Sequence, residues 1–179
     1  KYSFAKVDFS LLLLYLFQNP FKISLKFLKE KGETDVYVYG ETPLTTLDKI
    51  LSHVEISKDD TVFELGSGRS RTCVGLHAFK GCKVVGIEFV PEFVKKANKV
   101  KRFFKVTDVE IRNEDFLKSD FTGGTLFYLY GTCYDAAFIK KLIKKFKKLP
   151  KGTQIITVSY SLNTFSDEFL FKVEKVFSA

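Results

Sequence analysis

The feature that most constrains this chain is an apolar run, Thr61-Val62-Phe63-Glu64-Leu65, that ends in Gly66-Ser67-Gly68 and passes directly into a helical stretch reaching Phe79. Two glycines one residue apart let the backbone turn sharply off a buried strand and come close to a ligand. The helix that follows presents N–H groups with no partner inside the helix. The same unit recurs downstream. Residues 83–88 predict a second strand and 91–104 its helix; 109–111 predict a short third strand; 125–130 predict a fourth, followed over 135–148 by an amphipathic helix whose lysines, Lys145 among them, read as a solvated face; and 153–160 predict a fifth. Strands alternating with helices of this length give an α/β fold, a doubly wound and mostly parallel sheet that fills residues ~60 to ~160.

Ahead of this core, residues 1–34 read as a helical, hydrophobic segment, and 35–179 as the domain proper. Leu11 to Phe17 form an apolar block closed by Asn19-Pro20, and 21–29 place Ile23 and Phe27 on one helical face with lysines on the other. A pair of helices covering the core is the expectation. Peripheral membrane contact through residues 9–29 is the second reading, because helices with apolar and lysine faces lie in lipid interfaces. No run reaches the ~18 apolar residues of a membrane span. Residues 35–39 (DVYVY) predict a short extended piece, and 43–53 a helix with Thr42 as its N-cap before Pro43. Residues 169–177 (FLFKVEKVF) predict a further strand. Sheets of this kind commonly close with an antiparallel hairpin, so the last strand is expected to be missing, and a first residue that is lysine implies a natural start upstream.

Composition excludes some classes and leaves others open. Twenty-nine basic against 21 acidic residues give a net charge of +8, which suits nucleic acid, an acidic membrane or a lysine-rich surface and by itself decides nothing. Cys73, Cys82 and Cys133 are odd in number and form no CxxC pair. A disulfide framework and a zinc knuckle are therefore not expected, and a reducing, cytoplasmic location is. His53 and His77 stand outside any catalytic constellation and read as structural.

The acids around the glycines indicate the ligand. A dinucleotide fingerprint requires glycine where Arg71 stands, and no GxxxxGK[ST] phosphate loop is present. Glu64, two residues before the first glycine, would repel a pyrophosphate and attract an ammonium or sulfonium group. Glu88 ends the second strand 24 residues later, where an acid bonds ribose hydroxyls in doubly wound sheets. Phe89 beside it is placed to pack on an adenine. In Asn113-Glu114-Asp115-Phe116, Asp115 supplies an acceptor for the adenine amino group and Phe116 an apolar ring. Each residue alone reads as a strand-end acid or a loop residue; in this order, after successive strands, they describe S-adenosylmethionine as cofactor.

With ELGSG at 64–68, GIE at 86–88 and NEDF at 113–116, the sequence resembles class I, Rossmann-like methyltransferases that use S-adenosylmethionine. Tyr39-Gly40-Glu41-Thr42 resembles the YGET loop of the DOT-type histone lysine methyltransferases. That resemblance implies that Tyr39, Glu41 and Thr42 line the methionine end of the cofactor, with Glu64, Gly66, Ser67, Gly68, Glu88, Phe89, Asp115 and Phe116 completing its site. Gly66 to Arg71 is also similar to the turn of small lysine methyltransferases of the ATP-synthase c-subunit type. The chain departs from these patterns at Ser70, which replaces a third glycine, and at residues 128–134, YLYGTCY, which lack the Asn pair of DOT-type enzymes. The implied activity is methyl transfer to a protein lysine. Tyr39, Tyr130 and Tyr134 would form a channel that desolvates the amine, and Tyr130 or Thr132 would hydrogen-bond it. Methylation of a small molecule or nucleic acid, and an inactive cofactor-binding interaction domain, are the alternatives. Nucleic acid is the less expected partner, since no RNA-binding module accompanies the core.

Overall fold

The computed structural model describes residues 3–33, 39–131, 134–166 and 170–176. Five parallel strands form one sheet: β1 (Thr61–Leu65), β2 (Lys83–Glu88), β3 (Val109–Asn113), β4 (Leu126–Tyr130) and β5 (Gln154–Val158), in the order β3-β2-β1-β4-β5. The order reverses at β1, so the crevice between the carboxyl ends of β1 and β4 is the place where such sheets bind ligands. Register runs straight across the centre, with Glu64 opposite Gly86 of β2 and Tyr128 of β4.

Alternation along β1 divides the core in two. Val62 points to the face covered by α1 (Phe4–Leu13), α3 (Leu44–His53), α4 (Arg71–Lys80) and α5 (Pro91–Phe103), where it meets Val7, Leu47, Val74 and Ala97. Phe63 and Leu65 point to the other face, against Ile139, Leu142, Ile143 and Phe146 of α6 (Ala136–Phe146). The four α6 residues are all buried, each contributing about 1.5–3 kcal/mol of hydrophobic stabilisation. The sheet is thus wound on both faces, as the sequence pattern predicts.

Local chemistry sets the helix ends. Asn19 caps α2 (Pro20–Glu30) by accepting the Phe21 N–H, and Asp135 caps α6 by accepting the Phe138 N–H. Gly81 closes α4 in the left-handed conformation at φ +72°, donating to the His77 carbonyl. The expected N-terminal pair of helices is present, and α1 inserts Val7 and Leu11 into the main core. Among the described residues no helix is long and apolar enough to cross a membrane.

Three expectations need correction. Thr42 does not cap α3: Pro43 stands at the cap position, and the Thr42 hydroxyl pairs instead with Tyr128. Residues 170–176 form no strand. Leu170 and Phe171 pack on the α6 side and Asn163 brackets the Phe171 backbone, while Val173 and Val176 stay exposed; alternation without a pairing partner does not make a sheet. Lys145 is not a solvated member of the α6 lysine face. Its ammonium donates to the carbonyls of Phe116 and Ser119 and lies 3.7 Å from the Phe121 ring centre. The expected extended piece over 35–39 falls largely outside the described residues.

Gly86 is where the sheet admits α4 most closely: a Cβ there would stand 2.6 Å from Cys73 Sγ and 2.8 Å from Ile111 Cδ1. Gly86→Ala is expected to lower the unfolding free energy by about 1–3 kcal/mol through overpacking, read as a reduced denaturant midpoint with an unchanged slope.

Candidate active site

The bend after β1 is built by hydrogen bonds to β2. The N–H groups of Gly66 and Ser67 both donate to the Ile87 carbonyl, at 2.9 and 3.0 Å, which carries the chain across the end of the neighbouring strand. Gly66, Gly68 and Ser70 all take positive φ, at +80°, +51° and +63°. A glycine accepts this freely, whereas a serine gives up about 1 kcal/mol. Ser70 therefore occupies a position whose backbone is that of a glycine, with its hydroxyl 3.4 Å from that of Ser67 in the buried side of the turn.

Two buried carboxyl groups flank the bend. Glu88, at the end of β2, accepts the Gly68 N–H on one oxygen and the Val90 N–H on the other, each at 2.7 Å. Burial pushes its pKa up to about 7 against the opposing pull of those amides. Glu64 faces α4, where the Cys73 thiol donates to it at 2.7 Å. Burial pushes Glu64 up to about 8, opposed by hydrogen bonds from Cys73 and Thr72. No cation touches Glu64 among the described residues, so the group is a buried acid held neutral by its surroundings.

Residues 39–42 form a strap over the bend. The Tyr39 hydroxyl donates to Glu41, and Glu41 accepts a two-pronged bond from Arg69, with Arg71 4.0 Å away. Burial raises Glu41, but the bonds from Arg69 and Tyr39 outweigh it and hold the carboxylate below its usual range. Arg71 in turn grips Asp8 of α1 at 2.7 and 3.0 Å. The strap's far end is fixed by Thr42, whose hydroxyl lies 2.6 Å from the Tyr128 hydroxyl at the floor of the crevice. Tyr130 lies flush against Gly40: a Cβ there would meet Tyr130 Cε1 at 2.6 Å.

The structure brings most of the predicted site together. Glu41, Thr42, Glu64, Gly66, Ser67 and Tyr130 line one cavity of about 10 Å³ under the strap, room for about one water molecule. Tyr39 and Gly68 close it from above, with Tyr39 Cε2 3.6 Å from where a Gly68 Cβ would be. Glu88 lies just behind the bend. Three predicted residues do not line this small cavity. Phe89 is 38% exposed and packs edge-on against Phe27 of α2. Asp115 accepts the Leu117 N–H in its own turn, and Phe116 is buried edge-on against Tyr134 and Phe138. Thr132 lies outside the described residues. Arg69 is the participant that the sequence alone does not indicate: its partner Glu41 is 28 residues away, and nothing in the spacing joins them. A larger hollow of about 400 Å³, between Leu51 and Ser57 with Lys80 and Lys175, lies beyond the amino ends of β1 and β2. It is on the wrong edge of the sheet for the ligand crevice.

The Histone methylation protein DOT1 family matches residues 22–170. The chain belongs to the DOT1 family. A histone-lysine N-methyltransferase, H3 lysine-79 specific, from Dictyostelium discoideum is 28% identical over 157 residues, 79% of this chain and 8% of its own length. The chain thus spans only a small part of that relative. A protein-lysine N-methyltransferase from Saccharolobus islandicus is 22% identical over 138 residues, 76% of this chain and 84% of its own. Among solved structures, an RNA methyltransferase from Salinibacter ruber, in complex with S-adenosyl-L-homocysteine, superposes with a TM-score of 0.59 at 30% identity. It covers 66% of this chain and 76% of that one. A geranyl diphosphate C-methyltransferase from Streptomyces coelicolor, at 0.57 and 21% identity over 64% of this chain and 44% of its own, shares the fold. The class I methyltransferase architecture of this family member is therefore that of its core, β1 to β5.

Because Glu64 and Glu88 stand above the ordinary carboxyl value of 4.5 in the folded state, the folded protein binds more protons than the unfolded one between 4.5 and about 8. Stability is therefore expected to be greatest on the acid side of this window and to fall as pH rises through it. Melting temperature followed across the window tests this, and Glu64→Gln should flatten the fall.

Proposed function

We propose that the chain binds S-adenosylmethionine at the Gly66–Gly68 bend and methylates the side-chain amine of lysine in a protein. The observation that carries this reading is Glu64, a buried acid beside a glycine bend at the sheet's switch point, with a thiol and a threonine hydroxyl as its hydrogen-bond donors. A positively charged group is what such a carboxyl lacks. Family membership, and relatives named as lysine methyltransferases, support the same conclusion.

The residues suit this cofactor in chemistry. Glu64 would face its cationic end, and the unused lone pairs of Glu88 its ribose. Tyr39, Glu41 and Thr42 would cover it. The space over the bend is filled by the strap, so residues 39–42 must lift for the cofactor to enter. S-adenosylmethionine supplies the methyl group on a sulfonium centre. The protein's part is to align the acceptor and exclude water. Tyr130, at the carboxyl end of β4 and beside the cavity, offers its hydroxyl to the incoming amine. The rings of Tyr39, Tyr130 and Tyr134 disfavour the ammonium form and so keep a free lone pair on nitrogen. Thr132, two residues on in the sequence, is proposed as the alternative hydrogen-bond partner of the amine.

The test is incubation of the purified protein with methyl-labelled cofactor and a whole-cell lysate, followed by hydrolysis. Label is expected in methyl-lysine from the protein fraction. Label confined to RNA, as the likeness to the Salinibacter ruber enzyme would allow, or to small molecules, refutes the lysine assignment; tight binding with no transfer makes the chain an inactive binding domain. In calorimetry, Glu88→Ala is expected to weaken cofactor binding on the order of tenfold or more, the loss of one to two charge-assisted hydrogen bonds. Glu88→Gln, which keeps the shape, separates that loss from collapse of the bend. Tyr130→Phe should lower kcat on the order of tenfold while leaving cofactor affinity unchanged.

A further inference from the structure

We infer that the junction of α1 and α2 is an interfacial anchor that seats the protein on an anionic lipid surface. Five large apolar side chains stand in solvent within thirteen residues of chain: Phe9 at 64% exposure, Leu13 at 53%, Leu16 at 66%, Phe17 at 95% and Phe21 at 58%. Spaced at 9, 13 and 16, the first three share the outer side of α1 and its last turn, opposite Val7 and Leu11 in the core. Phe17 sits at the apex of the turn, and Phe21 opens α2. A monomeric surface rarely gathers this much apolar surface without something to cover it.

Charge decides what covers it. The first 31 residues contain six lysines and two acids. One of those acids, Asp8, is already engaged by Arg71. Lys22, Lys26 and Lys29 form a stripe of exposed ammonium groups along α2, and among the described residues the ion pair they make is that of Lys26 with Glu30, at a distant 3.9 Å. A second copy of the chain would bring the same lysines to the same place and repel. An anionic headgroup layer over hydrocarbon satisfies both the rings and the ammonium groups. Neither helix spans a bilayer; they lie on it. The anchor is next to the strap, since Phe21 packs edge-on against Tyr39 with ring centres 4.8 Å apart.

The experiment is cosedimentation of the full chain with vesicles of phosphatidylcholine alone and of phosphatidylcholine with phosphatidylserine. Binding to the serine-containing vesicles, weakened by salt and by the triple change Lys22→Gln, Lys26→Gln, Lys29→Gln, is expected. Phe17→Glu and Leu16→Ser should each reduce partitioning on the order of tenfold or more. Both residues are exposed, so melting temperature should stay at the wild-type value. The inference is overturned if the wild-type chain stays in the supernatant with both vesicle types, or if Phe17→Glu binds as well as wild type. It is equally overturned if the wild-type chain is a dimer that Phe17→Glu dissolves while vesicles bind neither form.

Discussion

The grip of one buried carboxylate on two backbone amides organises the working end of this molecule. Glu88 joins the Gly68 amide, in the bend after β1, to the Val90 amide, where α5 begins. Two loops that leave adjacent strands are thereby fixed to a single side chain. A hydrogen bond to a buried acid is worth more than one in water and costs more when broken. The positive φ angles of Gly66, Gly68 and Ser70 persist because this attachment, and the Ile87 carbonyl beside it, hold the bend closed against the sheet.

Above that bend the protein builds a second layer from charge rather than packing. Glu41 holds Arg69 of the bend and stands 4.0 Å from Arg71 at the start of α4, and Asp8 from α1 reaches Arg71 as well. Burial of such a network is costly unless each member is satisfied. Here each guanidinium and carboxylate has a partner, so the strap has one preferred seat. Beneath it, Glu64 has hydrogen bonds from Cys73 and Thr72 but no ionic partner among the described residues, and burial favours its neutral form. The acid above is ion-paired, whereas the one below is hydrogen-bonded by a thiol and a hydroxyl and has no counter-charge among the described residues.

Much of this was legible in the sequence because the signals were local. The five strands, the helices between them and the glycine bend follow from periodicity and from residues within one turn of each other. Observed strand ends differ from the predicted ones by at most two residues. The strap and its cavity were legible at Glu41, Thr42, Glu64 and Tyr130. What was not legible depends on distant partners. Arg69 finds Glu41 across a helix, Thr42 leaves its cap for Tyr128 86 residues on, and Lys145 leaves the solvent for carbonyls of the turn after β3. Phe116 joins an aromatic cluster with Tyr134 and Phe138, partners 18 and more residues away that its spacing does not announce. The alternation at 169–177 is a true strand pattern with no neighbour to pair with among the described residues.

The path Asp8–Arg71–Glu41 crosses from the first helix to the crevice in three side chains, with Arg69 and Tyr39 branching from its inner end. Its outer link is a two-pronged bond, and its inner one a looser approach of 4.0 Å. The amino-terminal segment is therefore tied by charge to the mouth of the crevice, a tether as well as a covering.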